Sequence, residues 1–167
     1  AGKSLPTEAE WEFAGWGGNS NREFAWGDEL APGGRHMANT FQGQFPHFNS
    51  LDDGYARTSP VGSFPTNAYG LSDMIGNVWE WTCDWFEERH APPSGACCVP
   101  CNPRGGQEQN SYDPCQPDIP IGRRVLKGGS HLCAENYCQR YRPAARHAET
   151  VDTSTSHLSF RCVIREG

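Results

Sequence analysis

Val78-Trp79-Glu80-Trp81-Thr82-Cys83-Asp84-Trp85-Phe86 is the stretch on which the fold turns. Aromatic and β-branched residues dominate it, which reads as a strand. Trp79 and Trp81 project to one face, and Trp85 joins them if the strand stays regular. Such a face is either the main core stripe or the wall of a peptide groove. Around it the chain is punctuated rather than periodic. With 19 Gly and 13 Pro in 167 residues, it calls for many turns and short elements instead of long helices. The expectation is an α+β, irregular, loop-rich fold with short strands and few helices.

Working outward, Leu5 to Ala14 reads as the first helix. Thr7 and Glu10 have capping-box spacing, and Gly15 is the expected stop, with Gly17 and Gly18 beyond. Residues 19–73 read as turns and short strands. Arg123 to Lys127 is a short strand that ends at Gly128-Gly129. Leu158 to Arg165 alternates most cleanly, with Leu158, Phe160, Cys162 and Ile164 on one face. Residues 87–122 form a surface insertion rich in Cys, Pro and Gly, within a single domain over 1–167. The chain begins at Ala1 without an initiator Met and almost at once enters a helix, so it is expected to be an N-terminally truncated piece.

Six Trp, eight Phe and five Tyr supply a core, because each aromatic buries a large area. The net charge of −6, with no basic run longer than Arg123-Arg124, argues against gripping a nucleic acid backbone. No apolar stretch approaches bilayer length, so no membrane partner is expected.

The eight cysteines are Cys83; Cys97, Cys98, Cys101 and Cys115; Cys133 and Cys138; and Cys162. The second group is open to a zinc-like cluster, a disulfide pair or free thiols. Cys133 and Cys138 lie in Lys127-Gly-Gly-Ser-His-Leu-Cys133-Ala-Glu-Asn-Tyr-Cys138-Gln-Arg140-Tyr-Arg142. Residues five apart do not share a helix face, so the two can converge only across a loop. They then close as a disulfide, hold a soft ion such as Cu(I), or stay as two buried thiols. Arg140, Arg142 and Arg146 crowd the segment, and cationic neighbours would lower a thiol pKa.

Leu5-Pro-Thr-Glu-Ala-Glu-Trp-Glu-Phe-Ala14, Tyr69-Gly-Leu-Ser-Asp-Met-Ile-Gly-Asn-Val-Trp-Glu-Trp81, Lys127-Gly-Gly-Ser130 and Ser159-Phe-Arg-Cys162 together resemble the formylglycine-generating enzyme family, the sulfatase-modifying factors. The pair Cys133-x4-Cys138 looks like the family's catalytic cysteines. The resemblance covers the C-terminal part of the family's catalytic domain and implies its C-type-lectin-like fold. It implies a copper-dependent oxidase that uses O2 to convert the cysteine of a sulfatase Cys-x-Pro-x-Arg segment to Cα-formylglycine. Cu(I) would sit between Cys133 and Cys138.

Ser130 and Tyr137 match family positions beside that pocket, where a hydroxyl can hydrogen-bond a reduced oxygen species. The plain alternatives are a turn cap for Ser130 and a core residue for Tyr137. Trp79, Arg140 and His157 are the candidate contacts for the substrate peptide. Glu135, the only acid between the two cysteines, is a candidate for the motif's arginine. The resemblance also implies two structural Ca²⁺ sites. One would use the Asn39 and Asp53 side chains with the Thr40 and Tyr55 carbonyls. The other would use the Asp73 and Glu80 side chains with the Gly76 and Val78 carbonyls. Hard oxygens of this mixed kind suit the ion.

Two structural disulfides of some family members have no counterpart. Gly15 stands where Cys162 would find its partner, and Pro143 stands at half of the other bridge. That favours a reducing bacterial cytoplasm over a secretory lumen. Two competing readings remain. One is a catalytically silent, calcium-stabilised paralogue or binding module. The other is an iron-dependent sulfoxide synthase, which needs a separate histidine-bearing domain.

Overall fold

The computed structural model describes residues 2–19, 21–90 and 102–165. One helix, α1 (Glu8–Trp16), opens the chain. Thr7 and Glu10 form the expected capping box: the Thr7 hydroxyl accepts from the Glu10 amide at 3.1 Å, and the Glu10 carboxylate accepts from the Thr7 amide at 2.7 Å. The helix does not stop at Gly15. It runs two residues further to Gly17, whose left-handed φ of 54° ends it. Gly15 is needed for packing, since a Cβ there would meet the Trp11 ring at 3.1 Å.

A two-stranded hairpin, β1 (Gly43–Gln44) with β2 (Phe48–Asn49), lies in the turn-rich region. The main sheet comprises β3 (Trp79–Trp85), β4 (Arg123–Lys127), β5 (His147–Thr150) and β6 (Leu158–Ser159), in the order β5-β4-β3-β6. β3 is antiparallel to β4 and parallel to β6. Among the described residues one α-helix, short strands and long irregular connections make this the expected α+β, loop-rich fold.

Both faces of β3 are used. Trp79 and Trp81 pack with Phe24, Ala38, Ile75, Leu126, Cys133 and Tyr141 in the core. Trp79 is buried there, so the core reading holds for it and it offers no free wall to a peptide. Trp85 does not join them. The register with β4 shifts between Trp81 and Trp85, and the Arg124 guanidinium covers the Trp85 ring at 4.1 Å. On the other face Glu80, Thr82 and Asp84 are buried, and each is hydrogen-bonded. Asp84 accepts from the Glu8 amide at 2.8 Å, and Glu80 accepts from the Trp11 indole at 2.7 Å. The helix is thus docked by polar contacts, satisfied as buried groups must be.

The cleanest sequence alternation is mostly not a strand. Only Leu158–Ser159 pairs with β3, and Val163 makes an isolated bridge to Ser4. Phe160, Cys162 and Ile164 face outward instead of into the core. Within the insertion, residues 91–101 lie outside the described residues, and with them Cys97, Cys98 and Cys101. The described remainder is anchored. Arg104 pairs with Glu12 at 2.5 and 3.0 Å, and Asn102 donates to Asp84 at 2.6 Å.

Candidate active site

β4 delivers the chain into Gly128-Gly129, with φ of 92° and 72°. Space as well as φ demands glycine here. A Cβ on Gly129 would stand 2.9 Å from the Arg140 carbonyl and the Tyr141 Cα. The turn then places Ser130, whose carbonyl accepts from the Cys133 amide at 2.9 Å and whose hydroxyl accepts from the Leu132 amide at 3.2 Å. The cap reading of Ser130 is therefore realised. From the far side, the Phe41 amide donates to the Cys133 carbonyl at 3.0 Å.

Beyond Cys133 the backbone doubles back. The Ala134 carbonyl accepts from the amides of Tyr137, Cys138 and Gln139, each at 3.2 Å. The convergence that residue spacing demanded is achieved by this loop. Cys138 packs against the core cluster that contains Cys133, and both cysteines are free rather than bridged. Cys133 is 3% exposed, and Cys138 is half-buried beside the core.

Burial pushes the Cys133 thiol up to about 12, and the charge and hydrogen bond of Cys138 push it the same way. The expected lowering by cations does not occur, because the arginines are engaged elsewhere. Arg142 pairs with Glu23 and donates to the Gln139 side chain at 2.6 Å. Arg146 reaches the buried Glu8 at 2.7 Å. Arg140 turns to His147, with its Nη1 3.2 Å from Nδ1.

Tyr137 is not a core residue. It is 70% exposed and stacks on Phe45 at 4.7 Å, and Phe45 meets Phe41 edge-on at 5.1 Å. This aromatic ladder joins the hairpin to the cysteine loop. Beside it opens a cavity of about 430 Å³, whose lining includes Phe41, Gln42, Asp52, Glu135 and Asn136. Arg140 lines a separate cavity with Arg123, Arg146 and His147. The His157 ring lies edge-on to His131 at 6.3 Å, and its carbonyl accepts from the Trp79 amide at 2.8 Å. Burial, then the charge of His131, lowers the His157 pKa. The three candidate substrate contacts thus do not form one surface with Tyr137: Trp79 is core, and Arg140 opens onto a different cavity.

Sequence reasoning missed Asn77. It sits at φ 59°, donates its amide to the Asn39 carbonyl at 2.8 Å, and accepts the His131 amide at 3.0 Å. It therefore links the Asn39 loop to the cysteine turn. The pair Gly76-Asn77, rich in left-handed preference, was the available signal.

The matched family, described as "Sulfatase-modifying factor enzyme 1-like domain", covers residues 1–166. The chain belongs to the sulfatase-modifying factor family. It is 52% identical to the formylglycine-generating enzyme of Mycobacterium tuberculosis over 98% of this chain and 51% of that protein. It is 47% identical to the Bos taurus enzyme of the same name over 97% of this chain and 39% of that protein. A Mus musculus family member named inactive C-alpha-formylglycine-generating enzyme 2 is 34% identical over 99% of this chain and 44% of that protein. Among solved structures, Treponema denticola variable protein 1 matches with a TM-score of 0.66 at 28% identity, over 96% of this chain and 46% of that one. The chain thus spans about half the length of the relatives it matches.

Proposed function

We propose that this chain forms the thiol-bearing half of a copper-dependent oxidase that converts the cysteine of a sulfatase Cys-x-Pro-x-Arg segment to Cα-formylglycine with O2. The observation that carries the reading is two free cysteines, Cys133 in the core cluster and Cys138 packed against it, on a loop held by main-chain hydrogen bonds. Identity supports it as well: the named enzymes reach 52% and 47%, against 34% for the inactive relative.

The residues fit Cu(I). Two soft sulfurs are carried on one tight loop, and burial above all opposes ionisation of Cys133. A soft monocation offsets that penalty. Bound there, copper supplies the electron transfer to O2 that side chains of this kind lack. The chain does the rest. Core packing around Cys133 excludes water from one side of the pair. The Ser130 carbonyl and hydroxyl fix the turn by accepting from the Cys133 and Leu132 amides. Until a cation replaces it, the proton stays on the Cys133 sulfur. The exposed Tyr137, braced by Phe45, offers a hydroxyl and an aromatic face to an extended peptide arriving beside Cys138.

The calcium sets divide. Around Asn39 the fit is good. The Asn39 side-chain carbonyl oxygen is buried without any hydrogen-bond partner, an omission that a hard cation repairs. Thr40 and Tyr55 are joined to Asp53 through their amides, at 3.1 and 2.9 Å. The second set does not fit. Asp73, Val78 and Glu80 line one cavity, but both Glu80 oxygens are taken by Arg161, one of them at 2.7 Å, and Trp11 shares the other. A dication would face that guanidinium.

A reducing bacterial cytoplasm is the compartment proposed, on the sequence grounds above. No helix among the described residues is long and apolar enough to cross a membrane.

The test loads the full-length protein with Cu(I), adds a Cys-x-Pro-x-Arg peptide and O2, and looks for the aldehyde by mass spectrometry. Aldehyde is expected, and its absence from copper-loaded protein would leave the silent binding module as the better reading.

A further inference from the structure

His131 stands in the turn that carries Cys133, and it is buried. Its main-chain amide donates to the Asn77 carbonyl at 3.0 Å, and its ring Nδ1 lies 3.1 Å from the same oxygen. A carbonyl only accepts, so Nδ1 carries the proton. One residue thus fills both lone pairs of one oxygen. The oxidase reading leaves His131 without a part.

The rest of Asn77 is clamped as well. Its side-chain oxygen accepts from the Ser59 amide at 3.0 Å, and its side-chain nitrogen donates to the Ser59 carbonyl at 3.2 Å. Its amide donates to the Asn39 carbonyl at 2.8 Å. Gly76 permits that approach, since a Cβ there would collide with the Asn39 carbonyl. Asn39 leads through Thr40 to Phe41, whose amide donates to the Cys133 carbonyl at 3.0 Å. These bonds close a circuit that runs from Asn39 to Asn77, on to His131, along the turn to Cys133, and back through Phe41. A turn tied at both ends cannot leave one tie without straining the other.

The Asn39 side of the circuit is also the calcium set that fits. The Asn39 side-chain oxygen is buried without a hydrogen-bond partner, and the Thr40 amide donates to Asp53 at 3.1 Å. We propose that His131 is a positioning residue for the thiol turn and that, given the calcium assignment of that set, it makes a hard cation at Asn39 and Asp53 tighten the turn around Cys133. The cation restrains Asn39, the grip of His131 on Asn77 passes the restraint on, and Cys133 opens to solvent less often. The ring bond is decisive in this. A single main-chain bond can pivot about its oxygen, whereas two donors from one residue remove that freedom.

Thiol labelling reads the coupling without copper or turnover, so the oxidase reading and this one fail separately. The full-length protein is treated with a maleimide, with and without Ca²⁺, and the labelled cysteines are located by peptide mapping. Cys83 is half-buried on β3, with its amide on the Pro6 carbonyl at 2.9 Å; it lies outside the circuit and reports general stabilisation. Ca²⁺ is expected to slow Cys133 by at least about fivefold more than Cys83, the factor that roughly one net hydrogen bond is worth. His131→Leu, which lacks the donor, should make the two factors equal. His131→Asn, whose amide nitrogen occupies the place of Nδ1, should restore the difference. A calcium-dependent rise in Tm with equal slowing of both cysteines in the wild type overturns the proposal and leaves the calcium site standing, whereas no Tm response removes both. An undiminished difference in His131→Leu, or a folded His131→Asn that fails to restore it, also overturns the proposal. The wild-type comparison decides even where a variant does not fold.

Discussion

Gly129→Ala is the substitution whose effect follows most directly from the geometry of the turn. At φ 72° an alanine adopts the left-handed region, at a cost of about 1–2 kcal/mol. Its Cβ would also stand 2.9 Å from backbone atoms of Arg140 and Tyr141, which cannot rotate away as a side chain tip can. Overpacking of that kind adds about 1–3 kcal/mol. The sum, about 2–5 kcal/mol, is a large share of the roughly 5–15 kcal/mol that holds a domain folded. At about 2–4 °C per kcal/mol for a chain of this size, the Tm should fall by roughly 4–20 °C. Urea unfolding of wild type and variant gives the free energy. Thiol titration of the still-folded variant reads the second consequence, faster labelling of Cys133 as the turn opens. A variant within about 0.5 kcal/mol of wild type would refute the reasoning, since that is the range of an uninvolved surface site.

Cys133→Ser and Cys138→Ser should each abolish Cu(I) retention against a competing chelator, and full retention by either would exclude the two-thiol site. Asn39→Ala and Asp53→Ala should remove any Tm response to Ca²⁺, whereas Glu80→Ala should lower Tm equally with and without the ion; a calcium-dependent effect of Glu80→Ala would reverse the assignment. Burial first, then the charge of Arg140, lowers the His147 pKa below its ordinary value. The folded state therefore prefers the neutral ring, so the His147 contribution is complete above about pH 6.5 and is lost as pH falls below it, where the unfolded chain binds the proton first. Arg140→Ala should raise the His147 pKa in an NMR titration, and an unchanged value would remove Arg140 as a cause.

Local chemistry made much of this molecule readable. The Thr7–Glu10 box, the strand around Trp79 and the Gly128-Gly129 turn each rest on interactions within a few residues, and each was legible. The helix end was misplaced because Gly15 serves packing against Trp11, a demand that propensity does not express. β5 went unseen because His147-Ala148-Glu149-Thr150 has no apolar pattern; main-chain pairing with β4 makes it a strand. Trp85 left the core through a register shift that only the partner strand reveals. At the site, the cysteine pair was legible by spacing and resemblance. The environment of the thiols was not, because Arg142 and Arg146 find their partners at Glu23 and Glu8, more than a hundred residues away, and Arg140 turns to His147 on the next strand.

The Ala134 carbonyl, with its three amide donors, has an evolutionary corollary. The loop that sets the thiol separation is secured by backbone atoms, while Glu135 and Asn136 are exposed at its crest and line the neighbouring cavity. Their side chains contribute nothing to the turn itself. Substitution there can reshape what approaches the thiols without changing how the thiols are held. Diversification of substrate preference is therefore decoupled from loss of the reactive pair. A library at positions 135 and 136 explores new partners at little cost to the fold.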